Sequence, residues 1–218
     1  VASLCAACTD PDVKDAMVKA SAAKNSIQLE EDSLVVTLPE EWIAIDAAAE
    51  GFVLDMPYAD TANFTHRKIY DCARCLLRPE AAMALRAAGK QARAAGFRIV
   101  IFDAYRPLPY QQKMYDVVPD KRYVADPAKG SMHNRGLAVD VGLADSSGKL
   151  LDMGGHFDDF SERAAYHYAA LGKLQHSNRA MLRALMTGAG FEPYEGEWWH
   201  FNYRKKDYPL SVYLWPCP

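Results

Sequence analysis

Ser131-Met132-His133-Asn134-Arg135-Gly136-Leu137-Ala138-Val139-Asp140 is the stretch on which the reading of this chain turns. From Leu137 to Leu143 small and apolar residues alternate, which predicts a buried strand. A carboxylate inside such a strand is costly unless a positive partner faces it, so Asp140 asks for one. His133 stands seven residues earlier, and on an ideal strand an odd spacing puts two side chains on opposite faces. His133 is therefore expected in the loop before the strand, with Gly136 easing the chain's entry. A second string, Glu197-Trp198-Trp199-His200, supplies another imidazole and another carboxylate. His133, Asp140 and His200 make two imidazoles and one carboxylate, a donor set suited to a catalytic zinc with a fourth position open to water. Glu197, three residues from His200, is then a carboxylate free to act as general base, provided a bulge or strand end turns it to the site.

Outward from these strings, Phe97-Arg98-Ile99-Val100-Ile101-Phe102 is the best strand in the chain, stopping before Pro107. Leu34 to Leu38 and Trp42 to Ile45 read as shorter strands, and Glu197 to Tyr203 as a final one. Residues 79–95 read as a helix opening on Pro79, with Met83, Leu85 and the alanines on its apolar face and Gly96 ending it. Pro109 to Val117 reads as a second helix, and two more are expected near 160–171 and 177–188. Helices and strands interleave without a regular repeat, which predicts an α+β single domain.

The chain has 218 residues, of which 50% are hydrophobic and 24% charged, with a formal net charge of −3. That composition excludes a wholly disordered chain, and the near-neutral charge carries no nucleic-acid signature. No apolar run approaches the roughly 20 residues of a membrane helix. The small residues from Val1 to Cys8 suggest the end of a secretory signal or, at Ala6-Ala7-Cys8, an imperfect lipid-anchor sequence. Residues 1–30 are expected to be a leader or loose extension and residues 31–218 the domain. Cysteines stand at 5, 8, 72, 75 and 217. A four-thiolate zinc from the two C-x-x-C pairs is disfavoured by the 63-residue gap between them. Disulfides are the better use in an exported protein, with Cys217 available to one of the others. His66, His167 and His176 read as surface or structural residues, and Trp198 and Trp199 as packing.

The strings SxHxxGxAxD and ExWH, in this order, resemble the M15 zinc metallopeptidases of bacterial cell-wall metabolism, and within them the D-alanyl-D-alanine dipeptidases of the VanX type. Tyr58-Ala59, Asn63-Phe64, Tyr70-Asp71 and Ala73-Arg74-Cys75-Leu76-Leu77-Arg78 resemble that family's N-terminal block. Phe102-Asp103-Ala104-Tyr105-Arg106-Pro107 resembles its arginine motif, and Asp152-Met153-Gly154 with Phe157-Asp158 its dipeptide-pocket motif. The resemblance runs from about residue 40 to 214. It implies a mainly antiparallel central sheet flanked by helices, like Hedgehog and D,D-peptidase domains. It implies one Zn2+ per chain held by His133, Asp140 and His200, Glu197 as the base, and Arg106 opposite the charge that develops on the attacked carbonyl. Tyr58, Ser131 and Asp158 would hold a small dipeptide. By itself, Arg106 reads more simply as an ion pair with Asp103. One departure stands out: Gly155-His156 replaces the family's threonine before Phe157-Asp158, which bears on substrate preference.

The activity implied is hydrolysis of D-alanyl-D-alanine or similar dipeptides, in the periplasm or cell envelope or, alternatively, the cytoplasm. A stem-peptide carboxypeptidase or endopeptidase is the second expectation. A silent zinc-stabilised binding domain is the third, disfavoured because Glu197 and Arg106 are both present.

Overall fold

The computed structural model describes residues 38–217. The leader, Cys5, Cys8 and the strand expected from Leu34 lie wholly or mostly outside them. The first described strand, β1 (Ile43–Ile45), pairs antiparallel with β3 (Cys75–Leu77) in a two-stranded ribbon. The short helix α1 (Ala47–Glu50) connects β1 to β2 (Val53–Leu54). The main sheet has five strands in the order β2-β4-β5-β7-β6, with β4 spanning Phe97–Asp103, β5 Ala138–Asp145, β6 Glu192–Tyr194 and β7 Glu197–Asn202. Only β2 runs parallel to its neighbour; the other pairings are antiparallel. This is the α+β domain that the pattern of elements predicts, with the mainly antiparallel sheet that the family resemblance implies.

Helix α2 (Pro79–Ala94) buries Ala81, Ala82, Leu85, Ala88 and Ala92. Small side chains at three- and four-residue spacing let its backbone come close to β4. Met83, assigned by sequence to the apolar face, instead points outward at 61% exposure. Ile99 and Ile101 are fully buried, each worth roughly 1.5–3 kcal/mol over exposure. Helix α3 (Leu108–Val117) follows the arginine motif, and α4 (Lys173–Gly188) starts four residues earlier than expected.

The helix expected near 160–171 is absent; only a 3-10 turn, Glu162–Ala164, forms there. The reason is tertiary. Arg179, buried on α4, donates to the carbonyls of Met153, Arg163 and Ala165. Tyr166 N–H donates to the Glu195 carbonyl. The backbone groups a helix would pair internally are spent on neighbours instead.

Cys72 is bonded to Cys217, and Cys75 is a free buried thiol whose pKa burial pushes up. That bond takes Cys72 out of any thiolate zinc set and pairs Cys217 as sequence anticipates.

Candidate active site

Strands β5 and β7 set the centre. Asp140 lies directly opposite His200 in their antiparallel register, so the two side chains leave the sheet side by side. His133 enters from the 3-10 turn His133–Arg135, just before β5, as its odd spacing requires. Gly136 ends that turn at φ +71°, and a Cβ there would sit 2.4 Å from the Trp42 ring, so only glycine serves. Glu197 is the first residue of β7, next to a register shift at Pro193/Tyr194, which is the strand-end irregularity expected to turn it inward.

The donor atoms converge. His133 Nε2 lies 3.2 Å from His200 Nδ1 and 3.3 Å from Asp140 Oδ2, and His200 Nδ1 lies 3.0 Å from Asp140 Oδ1. Zinc held tetrahedrally at about 2.0–2.1 Å needs donors roughly 3.3 Å apart, which is what these three offer. The ring tautomers agree. His133 Nδ1–H donates to the Ala104 carbonyl at 2.6 Å, and His200 Nε2–H donates to Asn202 Oδ1 at 3.0 Å. Each imidazole therefore turns its lone pair toward the shared point, with its outer proton anchored. The residues present fit a divalent metal. Burial would raise the Asp140 pKa, but His133 and His200 outweigh it and hold the carboxyl ionised. Burial lowers the His200 pKa, and Asp140 and Glu197 more than reverse that.

Glu197 Oε2 stands 3.8 Å from His200 Nδ1, close enough to reach a water at the open position. Its pKa is raised, first by burial and then by the Asp140 charge.

Arg106 is buried and its ion pair with Asp103 is real: Nη2 and Nε donate to Asp103 Oδ2 at 2.6 and 3.1 Å, and Nη1 donates to Gln111 at 3.0 Å. The two readings of Arg106 are compatible. A guanidinium carries five N–H donors, and among the described residues one on Nη2 has no acceptor. The guanidinium carbon also sits 5.2 Å from the Tyr58 ring centre, and its charge acts on both Glu197 and Asp158. An Arg106→Lys protein is expected to keep a cation against Asp103 yet lose the fork. Its kcat should fall about 10²-fold with a smaller change in KM, read by steady-state kinetics.

Tyr58 donates to Asp158 Oδ2 at 2.6 Å, joining two of the residues expected to hold substrate. Ser131 is spoken for locally, its hydroxyl and N–H both donating to Asn134 Oδ1. Asp103, Tyr70, Gln111 and Asn202 complete the surroundings without having been singled out as site residues from sequence. Asp103 and Tyr70 lie inside the quoted motifs, whereas nothing in local sequence marks Gln111 or Asn202.

Asp158 adopts φ +58°, and burial pushes its pKa up to about 8. The folded protein thus holds this proton across pH 4 to 8, where an unfolded chain releases it. Stability from this group is present below pH 4 and is lost as pH rises through 8. Asn tolerates the left-handed backbone and needs no ionisation. Asp158→Asn should therefore raise Tm increasingly from pH 5 to 8. Discounting for partial exposure, a gain of about 1 kcal/mol, or roughly 2–4 °C, is expected by scanning calorimetry. The same change should raise KM for a dipeptide with a free ammonium.

A cavity of about 1180 Å³ opens beside Asp158, lined among others by Met56, Asn63, Phe102 and Phe157. His133, Asp140 and His200 are not in its walls.

Comparison with known proteins gives the chain a family. The family model for Peptidase_M15, D-ala-D-ala dipeptidase, matches residues 40–214. A D-alanyl-D-alanine dipeptidase of Escherichia coli (strain K12) is 39% identical over 165 residues, covering 75% of this chain and 86% of that protein. One from Enterococcus faecium is 31% identical over 198 residues, covering 79% of this chain and 96% of that protein. The solved structure of VanYB in complex with D-alanine-D-alanine aligns at 18% identity and a TM-score of 0.40 over 59% of this chain and 72% of that one. On the match across residues 40–214, the chain belongs to the D-Ala-D-Ala dipeptidase family of M15 peptidases.

Proposed function

We propose that this chain is a zinc-dependent dipeptidase that hydrolyses D-alanyl-D-alanine or a closely similar dipeptide, with one Zn2+ per chain. The observation that carries the reading is the meeting of His133 Nε2, His200 Nδ1 and the Asp140 carboxylate, with Glu197 3.8 Å from His200. His133, Asp140 and His200 would hold the ion, which when bound supplies Lewis acidity and lowers the pKa of a coordinated water to about 7. Glu197 takes a proton from the attacking water at a carboxylate oxygen. It then returns that proton to the leaving nitrogen as the amide C–N bond breaks. Arg106 faces the carbonyl oxygen as negative charge grows there, an interaction strongest in the transition state. Asp158, with Tyr58 hydrogen-bonded to it, faces the substrate's α-ammonium, whose charge draws the carboxyl to its ionised form on binding, and the resulting pair selects a free N-terminus.

The cavity beside Asp158 favours a second reading, a stem-peptide D,D-peptidase whose longer substrate runs out through that opening. D-alanine release separates the two. With zinc-loaded protein, cleavage of D-alanyl-D-alanine but neither its N-acetyl derivative nor a stem pentapeptide supports the dipeptidase. Cleavage of the blocked or longer peptides supports the open groove. Silence on all three would sink both.

The reading extends to a location in the periplasm or cell envelope, where the enzyme would recover D-alanine from the wall. The Cys72–Cys217 bond supports this, since disulfides persist in oxidising compartments. No helix of the described residues is long and apolar enough to cross a membrane. A lipid anchor at the N-terminus remains part of the proposal and falls on residues outside those described.

A further inference from the structure

The last ten described residues form a strap without regular secondary structure, and the strap brackets Arg106. The Ser211 carbonyl accepts from Leu108 N–H at 3.0 Å, and Ser211 N–H donates to the Asn134 carbonyl at 2.9 Å. Asn134 in turn donates its side-chain amide to the Arg106 carbonyl at 2.7 Å. On the other side of Arg106, Tyr105 donates its hydroxyl to the Tyr213 carbonyl at 2.8 Å. Trp215, 3% exposed, plugs the space beneath, its ring centre 5.3 Å from Tyr70 and 5.5 Å from Tyr110.

Tyr70 is the link to the guanidinium. Its hydroxyl donates to Asp103 Oδ1 at 2.7 Å and accepts from Arg106 Nε at 3.3 Å, while Asp103 Oδ2 takes the Arg106 fork. The end of the strap is fastened beside Tyr70 itself. Cys217 is bonded to Cys72, two residues after Tyr70; Trp215 Nε1 donates to the Cys72 carbonyl at 3.3 Å, and Arg74 to the Pro216 carbonyl at 2.9 Å. One covalent bond thus ties the strap's end to the segment that orients Asp103 and Arg106.

We propose that the C-terminal strap, fastened by Cys72–Cys217, is a positioning element for Arg106, acting through Tyr70 and Asp103. It rests on the reading of Arg106 as the group facing the developing charge. Cys217 is exposed, so a dithiol reaches the bond. Two electrons and two protons pass from the dithiol, giving two cysteine thiols and the dithiol's own disulfide. With the end released, Trp215 and Tyr70 hold Arg106 less firmly. An ångström of misplacement is worth about 10²-fold in rate, so partial loosening should cost less.

The test is Cys217→Ser in the zinc-loaded protein, a change at an exposed terminal position that should leave the fold intact. The expected result is a kcat lower by about three- to tenfold with KM nearly unchanged. Dithiol treatment of the wild type should give the same loss, and reoxidation should restore it. In an Arg106→Lys background Cys217→Ser should cost nothing further, because the group it positions is gone. A strap that only stabilises the fold would lower Tm and leave kcat alone, or cost the same in both backgrounds; either outcome overturns the proposal. Nitrogen-15 NMR of the arginine side chains gives a readout without substrate, with Arg106 assigned by its loss in Arg106→Lys. Distinct, slowly exchanging Arg106 N–H signals should average in Cys217→Ser. If the wild type cleaves no dipeptide, the dipeptidase reading fails, and unchanged Arg106 signals would still decide against the strap.

Discussion

Asp140→Ala is expected to lose its zinc and its turnover together. Asp140 lies within 3.0–3.3 Å of both imidazole donors, supplies the only negative charge in the trio and is 4% exposed. Without it two neutral imidazoles face each other in a buried site, and a doubly charged ion gains no charge neutralisation there. The loss of metal affinity should exceed the roughly 10–100-fold that follows from removing a supporting hydrogen bond. Asn202→Ala, which strips only the acceptor of His200 Nε2–H, provides that smaller comparison. Metal content after dialysis and D-alanine release measure the two effects in parallel. A metal-replete, active Asp140→Ala protein would remove the trio as the metal centre.

Glu197→Gln should separate metal binding from chemistry. The side chain keeps its size, and its Oε2 stands 3.8 Å from His200 Nδ1, beyond a hydrogen bond. Zinc content should therefore match the wild type. Turnover should fall by about 10²–10⁴-fold, the range for losing a positioned general base. The effect belongs in kcat, because the proton moves only as the water attacks. Metal titration and single-turnover kinetics on one preparation make the measurement. Full turnover with metal bound would return Glu197 to a structural role. The pair of variants is informative together: one loses ion and rate, the other rate alone.

Much of this was legible in the residues. The apolar runs at 97–102 and 137–143 became adjacent strands of the main sheet, because short runs rich in β-branched and other apolar residues and unbroken by proline have few other places to go. Pro79 and the alanines specified α2 for similarly local reasons. The meeting of His133, Asp140 and His200 was legible because a carboxylate buried in a strand demands positive partners, and only a few histidines offered themselves. The helix expected near 160–171 failed because Arg179 and Glu195, distant in sequence, claimed its backbone groups. Met83 faced outward for a related reason: the helix face was chosen by what it packed on.

By itself, then, the sequence determined the elements with strong local patterns, the donor types at the centre and the family. The first two follow from short-range sterics and from the cost of burying charge, both written in neighbouring residues; the family follows from the ordered resemblance of its motifs. Only the tertiary structure decided which atoms of His133 and His200 turn toward Asp140 and one another, that Arg106 is paired with Asp103, and that Cys72 rather than another thiol meets Cys217. Each of these depends on which groups from remote segments arrive within hydrogen-bonding or bonding distance. That is settled by the register of β5 against β7 and by the path of the C-terminal strap, not by any local pattern.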